Sequence, residues 1–330
     1  MYEKIVLHKN KVIRVALLIG LAVLLGLIIW GVYKNYKFKI SQNIYFTEYE
    51  TEREKGDTII YKYDPISDKV LEIGRVQGWF CQCIINKDET RITGFVREGF
   101  GKGINDIVEY DIKTGTITSK NVMEKIDELA MGASWEAMLY DEGNKIFIYS
   151  TVDKGDGSLL CLRLLSYDFV TGEYESVKER TGAIDTLLAI DEQAMWYLVG
   201  HTISYEGREK VPEIERFRNS VDCAAISLST GLIAYSKNNT YHKKIYLYDF
   251  KLKKSSCIAP GGWNIVYGDL NDTNSMWSKD GRQLFYVKYF PGLFQEADTS
   301  LMIYDASSGK HRRIYKVKAT YHRFQYISNS

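Results

Sequence analysis

The chain has 330 residues, a formal net charge of +1, 45% hydrophobic and 26% charged residues. That balance is ordinary for a folded protein and excludes the strong basic field that a nucleic-acid partner requires. Tyrosine is abundant, at 25, and proline is limited to 4, which favours many half-buried pleated strands over Pro-rich linkers.

Residues 1–14 are short and basic, with Lys4, Lys9, Lys11 and Arg14. From Val15 to Tyr33 the sequence VALLIGLAVLLGLIIWGVY carries no charge. As a helix it would be roughly 28 Å long, the hydrocarbon thickness of a bilayer. Trp30 and Tyr33 stand where interfacial aromatics are expected. A cleaved signal peptide has a shorter apolar run and a small-residue cleavage site, whereas KNYKFK follows here. The expectation is an uncleaved, single-pass signal anchor over 15–33, with the lipid bilayer as partner. Lys34, Lys37 and Lys39 follow the span, so the charge bias across it is small. A short basic N-terminus, one anchor and a long folded domain predict a cytoplasmic 1–14, a linker 34–42 and an extracytoplasmic domain 43–330 at the cell membrane.

Cys81, Cys83, Cys161, Cys223 and Cys257 are odd in number and sparse, so no disulfide framework is expected. Cys81 and Cys83, two apart, are predicted on one face of a strand. Packing outweighs metal binding for them, because no second Cys or His pair stands at ligand spacing.

Downstream, one signature recurs. YKYDPISDKVLEI, VEYDIKTGTITS, LSYDFVTGEYESV, ISYEGREKVPEI, YLYDFKLKKSSCI and LMIYDASSGKHRRIY place Tyr63, Tyr110, Tyr167, Tyr205, Tyr248 and Tyr304 before Asp, or before Glu206 in the fourth copy. A second hairpin precedes each copy but the first: CIINKDETRITGFV, AMLYDEGNKIFIYS, LLAIDEQAMWYLV, AAISLSTGLIAYS and SMWSKDGRQLFYV. Asp, Ser and Gly supply the turn chemistry. Strand, turn, strand, variable loop, strand, turn, strand in about 40 to 50 residues is the unit of a propeller blade. The unit beginning at SQNIYFTEYE lacks one strand, and ATYHRFQYIS, Ala319 to Ser328, is a lone strand at the other end of the domain. Pairing the two would close a ring and remove an open edge.

The hairpins MWSKDGRQLFYV and IYDASSGKHRRIY resemble the WD40-like (PD40) repeats of the TolB-type six-bladed propellers. The resemblance spans about 43–330 and is cleanest around 278–315 and 110–119; the first and fourth units depart from it, which leaves seven blades as the alternative count. It implies an all-β propeller that engages a macromolecule or small ligand across a ring face, and it implies no reaction.

No nucleophile elbow, His-Glu-x-x-His, P-loop or dinucleotide fingerprint occurs, so no catalytic residues and no cofactor are assigned. His8, His201, His242, His311 and His322 lack a partner at ligand spacing, and no metal site is assigned to them. Two acidic loops, from Asp153 and from Gly268 to Asp280, hold oxygen ligands but no glutamate for bidentate calcium binding. Trp79, Trp135 and Trp263 each stand at or before the first strand of a unit. They are the candidate ligand-binding residues, placed to line the mouth of a central channel and stack on sugar rings or grip a peptide. The competing reading is that each packs between neighbouring blades. The function expected is a membrane-tethered, non-enzymatic module of the cell envelope that binds a protein or glycan. The alternative is a propeller lyase or glycan hydrolase with carboxylates at the channel mouth.

Overall fold

The computed structural model describes residues 20, 21, 23, 25, 40, 42–50, 56–99, 103–130, 134–153, 160–181, 186–190, 194–199, 201–207, 221–237, 244–259, 267–269, 277–278, 280–290, 298–318 and 322–329. Contacts divide the chain into Met1–Lys39 and Ile40–Ser330. In the first unit Gly20, Leu21, Val23 and Leu25 are helical, and the rest of the expected anchor 15–33 lies outside the described residues. Among the described residues no helix is long and apolar enough to cross a membrane.

The second unit is a succession of antiparallel strands. β1 (Ile44–Glu50), β2 (Asp57–Asp64) and β3 (Lys69–Gln77) precede β4 (Trp79–Ile85), β5 (Arg91–Arg97), β6 (Ile104–Asp111) and β7 (Ile117–Ser119). A helix absent from the sequence expectation, α1 (Met123–Leu129), leads to β8 (Ser134–Tyr140), β9 (Lys145–Asp153), β10 (Leu160–Asp168) and β11 (Tyr174–Thr181). β12 (Thr186–Ile190), β13 (Ala194–Val199) and β14 (Thr202–Gly207) follow, then β15 (Val221–Ser227), β16 (Leu232–Lys237), β17 (Ile245–Asp249) and β18 (Lys254–Ala259). The last are β19 (Tyr267–Asp269), β20 (Gln283–Phe290), β21 (Asp298–Asp305), β22 (Lys310–Lys318) and β23 (His322–Asn329).

The repeated Tyr-Asp is a packing and turn device. Tyr63, Tyr110, Tyr167, Tyr248 and Tyr304 are buried. Each following Asp accepts main-chain N–H groups of its own turn: Asp64 from Ile66 at 2.9 Å, Asp111 from Thr114 at 2.7 Å, Asp168 from Val170 at 2.7 Å, Asp249 from Lys251 at 2.8 Å, Asp305 from Ser308 at 2.7 Å. These are Asx turns, in which the carboxylate substitutes for a backbone carbonyl. The turn then needs a left-handed residue four positions after the Asp. Gly115, Gly172 and Gly309 supply it with φ of 72°, 74° and 66°, while Asp68 and Lys253 adopt 54° and 52° in the other two. The residue after Asp also bonds the preceding hairpin, as in Ile112 N–H to Thr90 O, Phe169 to Asn144, Phe250 to Gly231 and Ala306 to Arg282. Both hairpins of a unit therefore share one end of the sheet, and the variable loops and unit-to-unit links take the other.

β23 pairs antiparallel with β1 from Tyr45↔Ile327 to Glu50↔His322, so the last strand completes the first sheet. It also pairs parallel with β4 through Ser328↔Ile84 and Asn329↔Ile85. That second pairing changes the count of sheets. Instead of six or seven separate blades there are five hydrogen-bonded sheets, because β3-β2-β1-β23 and β4-β5-β6-β7 are joined into one of eight strands. The others are β11-β10-β9-β8, β12-β13-β14, β15-β16-β17-β18 and β19-β20-β21-β22.

The core lies between consecutive sheets and between the two halves of the eight-stranded one. Tyr45 and Ile60 meet Phe80 and Val108; Phe95 and Ile107 meet Leu139 and Ile146; Leu164 meets Tyr197. Leu198 meets Ile233, Leu247 meets Leu284, and Leu301 returns to Phe46 and Phe324. The run of packed interfaces thus ends where it began.

One strand departs from simple alternation. β4 carries a bulge between Cys81 and Ile84, with Gln82 at φ 49°. An extra residue in a strand reverses the facing of everything after it. Cys81 consequently packs with Phe95 and Ile107, and Cys83 with Phe80 and Ile85. The expectation that the two thiols share a face is corrected by this bulge. Burial pushes the Cys83 thiol well up, as suits a packing residue.

Candidate functional site

The link between β3 and β4 shows how a site residue is fixed at the loop end. Gly78 adopts φ 86°, and a Cβ there would lie 2.7 Å from the Arg97 carbonyl oxygen, so only glycine passes. Its N–H bonds Gly56 O at 3.0 Å. Thr58 Oγ1 donates to Gly78 O at 2.6 Å and accepts from Phe80 N–H at 2.8 Å. Trp79, between these clamped residues, is held in register as the first residue of β4.

Its ring stacks on Tyr49, with centroids 6.1 Å apart and planes at 28°, and the Arg97 guanidinium lies 5.8 Å from its centroid. Tyr49 is the last residue but one of β1 and Arg97 the last of β5, so the three come from two four-stranded groups joined by β23. Tyr49 is buried, which raises its hydroxyl pKa, and it bonds the Gly56 backbone. Trp79, partly buried, also packs against the core shared with β8–β10, so the group is built into the seam between blades, with Trp79 and Arg97 partly exposed.

On the opposite face of β1, Glu48 is 3% exposed and hydrogen-bonds the hydroxyls of Tyr61 and Tyr315. The Tyr315 hydroxyl also donates to Tyr61 at 3.2 Å. Burial raises both tyrosine pKa values; Tyr315 and Glu48 add to the rise at Tyr61, while at Tyr315 the bond to Tyr61 opposes it and Glu48 adds to it. Phe46, Tyr61, Tyr315 and Phe324 enclose the group.

Of the residues singled out from sequence, Trp79 is thus built into a defined aromatic and cationic group. Trp135 lies in β8, its side chain outside the described residues, and Trp263 lies outside them altogether. Tyr49 and Arg97 carried no signal of their own; Tyr49 lies opposite Thr58, which bonds Gly78 and Phe80 on either side of Trp79, and Arg97 pairs with Trp79 across the β4–β5 hairpin. Among the described residues no group of three or more His, Cys, Asp or Glu is placed to hold a metal ion. Asp280 instead accepts from Ser278 Oγ at 2.6 Å and Arg282 N–H at 3.1 Å inside its hairpin. Residues 154–159 and 270–276 of the two acidic loops lie outside the described residues. His311 Nδ1 is 2.8 Å from the Tyr286 hydroxyl, and His201 Nδ1 is 3.0 Å from Val221 O.

The architecture is that of a β-propeller. No family model matches the chain, and no curated protein matches it in sequence. Among solved structures it is similar to TolB from Acinetobacter baumannii, with a TM-score of 0.53 and 11% identity over 91% of this chain and 70% of that one. A putative TolB from Agrobacterium tumefaciens aligns at TM-score 0.47 and 10% identity, covering 87% and 99% of the two chains. The β-propeller domain of the Trilobed protease from Pyrococcus furiosus aligns at 0.45 and 11%, covering 83% and 80%. At 11% identity the likeness to the Acinetobacter baumannii protein carries the fold alone, and no argument rests on the other two.

Proposed function

We propose that the chain is a membrane-tethered, non-enzymatic binding module of the cell envelope, with its propeller outside the cytoplasm. The propeller counts six blades, the eight-stranded sheet contributing two. The support for that count is the packing: six interfaces join consecutive groups of four strands, or of three in β12-β13-β14, the last returning to the first. The tether is the uncharged run 15–33. The ligand is a protein or a glycan, taken at the end of the ring where loops and blade links gather.

One observation carries this reading: Trp79 is clamped by Gly78 and Thr58 beside Tyr49 and Arg97 at that end of the ring. A rigid frame presents such a group without having to order it on binding. By their positions in the sequence, at or before the first strand of a unit, Trp135 and Trp263 are the further candidates for that surface. The test is affinity capture with the full chain from detergent-solubilised membranes, compared with Trp79→Ala and Arg97→Ala. A stoichiometric partner lost from both variants supports the reading; capture unaffected by both substitutions contradicts it.

A further inference from the structure

We propose that the seam between the last and first blades is the joint at which the ring opens, the other seams staying shut. Among the described residues two charged side chains are buried, Glu48 at 3% exposure and Arg312 at 8%, and both lie in this seam. Glu48, on β1, hydrogen-bonds Tyr61 of its own blade and Tyr315 of β22. Arg312, on β22, is ion-paired with Asp68 of the first blade and donates to the Tyr63 hydroxyl at 2.7 Å. Phe46 and Phe324 on one side and Val287 and Leu301 on the other supply the apolar remainder. Glu72, which also acts on Tyr315 from β3, is paired with Arg75 at 2.7 Å and open to solvent.

A buried charge has given up its hydration, and its partners in the fold return that only in part. Parting two apolar surfaces does nothing but expose hydrocarbon. Parting this seam also restores water to a carboxylate and a guanidinium, so opening costs less here than between the other blades. Strand pairing fixes what moves. β23 stays with the first blade through β1 and with the second through β4, and those two blades are one sheet. The polypeptide joins the last blade to the first at the loop end, between Lys318 and His322. Parting is therefore freest at the hairpin end, where Arg312 meets Asp68. The joint is independent of any ligand at Trp79.

Buried thiols measure it, because a reagent reaches them only when their surroundings open. Cys83 lies in the seam between the first two blades and Cys81 in the next, both buried. Leu301→Cys adds a thiol to the last–first seam, and Leu284→Cys, made separately, adds one to the other face of the same blade; the two leucines are 1% and 0% exposed. The full chain in detergent micelles is treated with N-ethylmaleimide, and modified peptides are followed by mass spectrometry. The expected result is modification at 301 several-fold faster than at 284, 81 and 83, and faster again by about tenfold or more when Asp68→Asn is added. A rate at 301 equal to that at 284 would mean that the last blade unfolds as a unit, and one equal to those at 81 and 83 that the ring opens only by global unfolding. A rate at 301 indifferent to Asp68→Asn would mean that exposure there leaves the ion pair closed. Each of these three outcomes overturns the joint.

Discussion

Arg312, on β22 near the end of the chain, is buried to 8% exposure and ion-paired with Asp68 in the first Tyr-Asp turn. It also donates to the Tyr63 hydroxyl at 2.7 Å, and Tyr63 donates to Asp68 at 3.0 Å. Burial, followed by the Asp68 carboxylate, pushes the Tyr63 hydroxyl up to about 12. The last blade is thus latched to the first by side chains as well as by β23. Removing one member of a pair costs most when the charge left behind is the buried one. Asp68 is half-exposed and Arg312 is not, so Asp68→Asn should destabilise by about 2–3 kcal/mol, chemical denaturation being the measurement. A cycle with Arg312→Met should return a coupling of about 1–3 kcal/mol; additivity would mean there is no latch.

The bulge at Gln82 makes a sharper prediction. A Cβ on Gly94 would lie 2.5 Å from Phe80 Cε2 and 2.6 Å from Cys83 Sγ. Gly94→Ala should therefore cost about 1–3 kcal/mol by overpacking. Cys83→Ala should recover part of that loss and Cys81→Ala none, because only the bulge brings Cys83 over Gly94. Equal recovery by both would place the thiols on one face after all.

Acid should unfold the protein in two stages. Burial lowers the His311 pKa below its ordinary 6.5, with Lys288 adding to the effect against a bond to the Ile258 backbone. The folded state favours the neutral ring, so His311 contributes stability that is complete above 6.5 and is lost as pH falls through the lowered value. Turn hydrogen bonds lower Asp64, Asp111 and Asp168 below 3.8, and the same bonds outweigh burial to lower Asp305. Their stability is present above 3.8 and lost below it. Melting temperatures against pH should show both steps, and His311→Gln should abolish only the upper one.

Lys253 holds φ 52° where sister turns use glycine. Lys253→Gly should raise stability by about 0.5–1 kcal/mol, and Gly309→Ala should lower it by a similar amount. Thermal unfolding of the two variants measures both; a loss from Lys253→Gly would mean that its side chain matters more than its backbone.

What could be foreseen in the sequence divides along the range of the forces involved. The Tyr-Asp units were legible because an Asx turn is made within five residues, as Asp111 and Thr114 show, and the missing and surplus strands announced β23. The bulge was not legible: the N–H of Gln82 is received by Gln325 Oε1 at 3.0 Å, a partner 243 residues away. Nor was the merging of two blades into one sheet, which depends on two backbone pairs at the end of β23. Trp79 was foreseeable as a tryptophan opening a blade, whereas its neighbours follow from register: Arg97 faces it across the β4–β5 hairpin, and Tyr49 lies opposite Thr58, whose hydroxyl holds Gly78.

Closure of the ring by β23 joins the first and last blades, and truncation tests it most directly. The full chain and a chain ending at Lys318 should be compared by circular dichroism on heating. Loss of β23 removes Phe324, Tyr326 and Ile327 from the core and reopens β1, so the truncated chain should lose its single cooperative transition or melt far lower. An unchanged cooperative melt would contradict the closed ring.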